Sequence, residues 1–361
     1  MSTANFAYSL RRKNLTTSSS PRFPQGKIAQ SASRRCQYSE EMKLTVAIPS
    51  YGRPAELGRA LDALAKQQRR ADEVIVIARQ DDGATQSMAS VFSNALPIVL
   101  SLVEGTGVIE SYNRAFDSAT GDVISFIDDD AVPHADWAAR IVETFQDEFD
   151  LAGLGGKDRI FANDKWLEGE ASAVGIVTWY GRTFGNHHLG FGQKRNVDCL
   201  KGVNMSFRRE LLGGIRMDPR LRGEGAQWHC ELKLCLEMRA LGRRLAYDPT
   251  ILVDHFPAPR HDADQRGAFS AIAYENQIHN LTLALLDYLP LPGRVLLLTY
   301  ALTIGFANNY CGILKGLLYC MRIGPARAWC KTIASFRGIF AAWRTWRSGN
   351  SNRLLLGKSP N

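Results

Sequence analysis

None of the seven cysteines forms a CxxC pair or a zinc-ligand spacing, and an odd count offers no complete disulfide framework. The chain therefore reads as a reduced, cytosolic protein without a structural zinc site. No apolar h-region follows the N-terminus, which excludes an ordinary secretory signal, so the sequons at Asn14, Asn204 and Asn280 carry no meaning for export. Acidic residues are missing from both ends. Seven basic residues precede Glu40 with no acid among them, and ten follow Asp287, again with none. The remaining 27 basic residues face 36 acidic ones, so an acidic middle of net charge −9 lies between two cationic tails, although the whole chain carries +8. Basic tails favour anionic lipid or nucleic acid. A nucleic-acid-binding protein would leave the acidic middle without a role, so no nucleic-acid partner is expected.

What is present is 361 residues with 45% hydrophobic content, enough for a sizeable core. Residues 1–41 are rich in Ser, Arg and Gln without apolar periodicity and read as a disordered basic tail. Met42, directly before the first strand, is an alternative start. From Leu44 short apolar runs alternate with helical stretches, the pattern of an α/β sheet. Strands are expected at Leu44 to Ile48, Glu73 to Ala78, Pro97 to Leu102 and Asp122 to Ile127. Helices are expected at Pro54 to Gln67, Val108 to Ala119 and Ala135 to Phe149. Gly156 to Asp198 has no strong period. Asn204 to Leu212, His229 to Leu241 and Ala268 to Leu286 read as helices, with strands near Arg244 to Tyr247 and Ile251 to Asp254. Val295 to Leu314 has 20 residues and no charge, long enough to cross a bilayer or to lie buried or interfacial. Beyond it, Trp329, Phe336, Phe340, Trp343 and Trp346 alternate with Arg and Lys, as suits a helix in an anionic headgroup layer.

The run VISFIDDDAVPHADW ends a strand with Asp128, Asp129 and Asp130. One aspartate would serve a turn or helix cap. Three adjacent acids stay ionised together only where a cation or strong donors offset their repulsion, and hard oxygen ligands at a strand end suit Mg²⁺ or Mn²⁺ shared with a phosphate.

In order, VAIPSYGRPAELGRALDAL, DEVIVIARQDDGATQ, GVIESYNRAFDSATGDVISFIDDDAVPHADW and GVNMSFRRELL followed by GAQWHCELKLCLEMRALGRRLAYDPTILVDH resemble family 2 glycosyltransferases. The resemblance runs from about Leu44 to His255. It implies a glycosyltransferase-A fold, a Rossmann-like mixed sheet flanked by helices, and transfer of a sugar from a nucleotide-diphosphate donor to a glycan or lipid-linked glycan hydroxyl. Residues 42–290 would form the catalytic domain, with a nucleotide-binding half at 42–150 and an acceptor half at 151–290. Residues 291–361 would add apolar and basic amphipathic helices that hold the enzyme on the cytoplasmic face of a bacterial inner membrane.

By the same resemblance, Pro49 and Tyr51 line the nucleobase pocket, Arg53 faces the phosphates, and Asp82 reads the base. Asn113 and Arg114 present polar groups to the nucleotide. Asp128 points to the ribose, Asp130 holds Mg²⁺ or Mn²⁺, and Asp129 accepts from its loop. Gly202 and Asn204 belong to the acceptor side, and Trp228 stacks on a sugar. Glu231 is the general base, with Cys230 where the family has another acid. His255 completes the metal site, and Arg260 and Arg266 neutralise the diphosphate. A nucleotidyltransferase would open instead with a Gly-rich loop and Lys, which IPSYGRPAEL lacks; a nucleotide-sugar-binding protein impaired in catalysis is the other alternative.

Overall fold

The computed structural model describes residues 42–260, 269–305 and 310–356. The expected N-terminal tail and Arg266 lie outside the described residues. Leu44–Ser50 (β1) is almost wholly buried and leads into Pro54–Ala65 (α1), which Pro54 starts. Glu73–Arg79 (β2), Gly83–Val91 (α2), Ile98–Val103 (β3), Val108–Ser118 (α3) and Val123–Ile127 (β4) complete the first half. Strands β4, β1, β2 and β3 lie side by side and run parallel. Burying Leu57 and Leu61 of α1 against one sheet face contributes roughly 1.5–3 kcal/mol each. The α2 helix was not foreseen; Asp82 caps it by accepting from the Thr85 amide.

Past β4 come Ala131–Pro133 (β5), Trp137–Asp147 (α4), Leu151–Ala162 (β6) and Lys165–Trp166 (β7). Ile176–Val177 (β8) and Thr183–Phe184 (β9) form a small separate hairpin, followed by Arg195–Asn196 (β10). Asn204–Arg208 (β11) is a strand, with a single helical turn at Arg209–Leu212 (α5). This corrects the helix expected over Asn204 to Leu212. The segment is buried on both faces between β4 and β6, so its apolar run reads alike for helix and strand. Cys230–Ala240 (α6) follows. Arg244–His255 (β12) is one long strand where two were expected, with an irregularity in its pairing between Asp248 and Leu252. The sheet order is β10-β12-β6-β11-β4-β1-β2-β3, mixed because β11 runs antiparallel to both its neighbours.

Four helices close the described residues: Ala271–Tyr288 (α7), Leu291–Thr303 (α8), Ile313–Ile323 (α9) and Pro325–Leu356 (α10). They belong to one unit with the sheet, α7 packing on α6 and α10 on α7. The charge-free run from Val295 to Leu314 is thus divided between α8 and α9, and no helix among the described residues is long and apolar enough to cross a membrane.

Candidate active site

The carboxyl ends of β1, β2 and β4 open onto a cavity of about 260 Å³. Pro49, Tyr51 and Arg53 line it from β1 and the turn after it, and the three aspartates line it from the end of β4. Their repulsion is met by groups of the chain itself. Arg53 reaches Asp129 at 3.1 Å and Asp130 at 3.2 Å, and Ser50 Oγ donates to Asp129 at 2.8 Å. Burial nevertheless pushes the Asp129 carboxyl up to about 7, with Arg53 opposing the shift.

Asp130 is tied to a distant strand. Strand β5 pairs with β12 in a register that sets His255 opposite Ala131. His255 Nε2 then lies 3.3 Å from Asp130, while its Nδ1 lies 3.5 Å from Asp158 on β6. The Ala258 amide donates to Asp130 at 2.9 Å. Burial opposes both ionised partners, but mutual pairing prevails: His255 is raised to about 9, and Asp130 is held well below the usual carboxylate range. Asp158, fully buried and paired with Lys201 and His255, falls to about 2.

One donor atom from each of Asp128, Asp130 and His255 lies within 4.8 Å of the others. Two carboxylate oxygens and an imidazole nitrogen form a donor set that fits Mn²⁺ or Mg²⁺. A carboxylate behind the far ring nitrogen, here Asp158, is the common way to orient a ligating histidine. Sequence reading missed Asp158, which lies in the segment that lacked periodicity.

Glu231 enters the cavity from the first turn of α6. Burial raises its carboxyl, and the nearby Asp128 charge adds to the shift. Gly202 makes room for it: a Cβ there would lie 2.6 Å from Glu231 Oε1 and 2.6 Å from the Tyr112 hydroxyl. Cys230 is fully buried in the core and is not part of the cavity wall, so it is a packing residue.

Several expected ligand contacts are made inside the protein instead. The Asn113 amide donates to the Met217 carbonyl at 3.1 Å and accepts from its amide at 2.8 Å, while Arg114 is exposed and off the cavity. Ser111 and Tyr112 of the same helix line it in their place. Asp82 accepts from the Gly52 amide at 2.6 Å and from both the amide and hydroxyl of Thr85, so its carboxylate is consumed by the turn. At that end of the cavity stands Arg79, its guanidinium 4.2 Å from the Tyr51 ring centre and 2.5 Å from Asp81. Asn204 accepts from Trp137 Nε1 at 2.9 Å and donates to the Ile251 carbonyl at 3.0 Å, clamping α4 to β12 rather than facing an acceptor. Trp228 is exposed beside a second cavity, with the Arg260 guanidinium 4.9 Å from its ring centre. Arg260 also lines the main cavity.

Residues 42–269 match the profile described as glycosyltransferase-like family 2, well over half of the chain. The chain belongs to glycosyltransferase family 2. A glucosyl-dolichyl phosphate glucuronosyltransferase of Haloferax volcanii is 24% identical over 224 residues, covering 59% of this chain and 69% of the relative. An uncharacterized glycosyltransferase of Nostoc sp. is 29% identical over 218 residues, covering 57% of this chain and 64% of the relative. Among solved structures, the S. aureus TarS fragment 1–349 in complex with UDP-GlcNAc superposes with a TM-score of 0.52 at 15% identity, covering 86% of this chain and 92% of that one. GalNAc-T7 with UDP, GalNAc and Mn²⁺ gives 0.53 at 13% identity, covering 68% and 48%. These likenesses show the glycosyltransferase-A-like fold, and the family makes the protein a nucleotide-sugar-dependent glycosyltransferase.

Proposed function

We propose that this glycosyltransferase is divalent-metal dependent and inverting, and that it acts on a hydroxyl of a glycan or lipid-linked glycan in the synthesis of cell-surface polysaccharide or glycolipid. The observation that carries the reading is the clustering of Asp128, Asp130 and His255 donor atoms, with the two aspartates on the wall of the cavity that Glu231 enters. Asp130 and His255 would hold Mn²⁺ or Mg²⁺, with Asp128 beside them toward the ribose. Bound there, the ion supplies charge stabilisation to the diphosphate.

The remaining chemistry belongs to the chain. Pro49 and Tyr51 wall the base. Arg53 and Arg260 place guanidinium forks near the diphosphate, where planar paired donors suit phosphate oxygens. Glu231 Oε takes the proton of the acceptor hydroxyl as its oxygen attacks the anomeric carbon from the face opposite the diphosphate. The bond between that carbon and the diphosphate oxygen breaks, and the nucleoside diphosphate leaves with the electron pair. Peripheral placement on the cytoplasmic face of a membrane agrees with a lipid-linked acceptor and with the basic, acid-free sequence beyond Asp287. The dolichyl-phosphate-linked substrate named for the Haloferax relative supports the same class.

The test is a donor screen with UDP-, GDP- and dTDP-sugars, with Mn²⁺ and after chelation, comparing wild type with Asp130→Ala. Turnover of one donor that is lost on chelation and falls on the order of 10³-fold in Asp130→Ala is expected. Full turnover after chelation would remove the metal from the reaction.

A further inference from the structure

The helices beyond residue 290 expose many of their large apolar residues. In α9, Ile313, Leu314, Leu317, Leu318 and Met321 are all exposed, Leu318 by 57% and Met321 by 90%. At 100° per residue they fall within an arc of about 140°. The opposite side carries Gly316, pressed against Thr332 of α10 with no room for a Cβ. A helix that packs by its glycine and shows its leucines to solvent reverses the usual amphipathic arrangement. Its neighbours continue the pattern. Val295, Leu296 and Tyr300 of α8 are exposed, as are Trp329, Ile333, Phe340 and Trp343 of α10, which recur at helical spacing. Large apolar side chains exposed on three neighbouring helices mark an interaction site.

We infer that the outward face of α9, flanked by α8 and α10, inserts into one leaflet of an anionic lipid membrane without crossing it. Charge selects this occupant. Residues 288–361 contain ten Lys and Arg and no acid. Arg337 and Arg344 are exposed on α10 beside its Trp and Phe stripe, and Arg347 stacks over Trp343 with 4.7 Å to the ring centre. Aliphatic side chains on one helix with Trp and Arg on the next match the acyl boundary and the headgroup layer respectively. The insertion face deepens the lipid-linked acceptor reading by naming the surface that would bring the enzyme to such a substrate, and it is tested independently of turnover.

The test is co-sedimentation of the full chain with vesicles of phosphatidylcholine alone and of phosphatidylcholine with phosphatidylglycerol. Wild type is expected to bind the phosphatidylglycerol vesicles preferentially. Leu317→Glu with Met321→Glu should reduce that binding at least about tenfold while hydrolysis of the donor sugar and the thermal midpoint stay unchanged. If that pair unfolds the protein, Leu318→Ser with Met321→Ser is judged by the same criterion. Three results would overturn the inference: no wild-type binding to anionic vesicles, undiminished binding by the folded variants, or a wild-type dimer in solution that the variants dissociate, which would make the face a self-contact.

Discussion

Residues 42–150 and residues 151–290 build their parts of the site in different ways. In residues 42–150 most contributing residues stand at or just beyond the end of a parallel strand: Pro49 and Tyr51 at the end of β1, Arg79 at the end of β2, and Asp128 to Asp130 after β4, with Ser111 and Tyr112 of α3 joining them from a helix. Parallel strands deliver their carboxyl ends to one edge, so position after an apolar run is enough to place a side chain at the site. In residues 151–290 Glu231 on α6 and Arg260 line the cavity, and behind the wall stand Asp158 within β6, Lys201 and Gly202 in a loop, and His255 at the end of β12. The pairing of β6 with β12 and packing between segments far apart in sequence bring them together. The motif resemblance named Glu231 and His255 in this half, whereas Asp158, the partner of His255, shows only through the pairing of β6 with β12.

Exchanging single residues on both sides tests that contrast. The largest effect is expected from Glu231→Gln, which removes the base while keeping the shape. Loss of about 10²–10⁴-fold in kcat should accompany a donor KM changed by no more than about threefold. Glu231 also sets a pH dependence. Its carboxyl is raised by burial, and a base works only when deprotonated, so kcat/KM should rise with pH through a value above the ordinary glutamate range of about 4.3. A limb at an ordinary glutamate pKa in the wild-type profile would show that another group limits the rate.

Asp158→Asn asks whether the hidden partner of His255 matters. Apparent Mn²⁺ affinity, read from the metal dependence of turnover, should fall about 10–100-fold, while Lys201 loses its carboxylate partner. Unchanged metal dependence would reduce Asp158 to a charge partner of Lys201.

Asn204→Ala bears on a residue that the motif assigned to the acceptor and the fold assigns to packing. It leaves the buried Trp137 Nε1 without its acceptor and should cost about 1–3 kcal/mol in urea unfolding. Folded enzyme should retain kcat within about twofold; a large kcat loss at unchanged stability would return Asn204 to the acceptor site.

Asn113→Ala should have the smallest effect on catalysis. Donor KM is expected to shift by less than about twofold, because both ends of the amide are engaged by Met217. A marked loss of nucleotide affinity would contradict the packing role.

The aspartate triplet shows where sequence reading reached its limit. The need for a compensating cation followed from three adjacent carboxylates. Arg53 and His255, the chain's own cations at the site, stand far from the triplet in sequence. Asp82 shows the opposite limit: a carboxylate at a motif position was spent on a helix cap and on the Gly52 amide, and Arg79 took the adjoining wall. A sequence displays residue types, whereas the use of each polar atom depends on which donors arrive beside it.

The chain by itself determined the α/β alternation, the parallel first half, the family, the aspartate cluster at a strand end, and a C-terminal region rich in apolar and basic residues. These depend on local periodicity and on residues within a few positions of one another. Tertiary structure decided that β11 is a strand, that His255 stands between Asp130 and Asp158, that Asn113 and Asn204 face inward, and that the charge-free run divides into two helices. Each of these outcomes rests on pairing or packing between segments far apart in sequence, where burial and hydrogen-bond satisfaction override local preference.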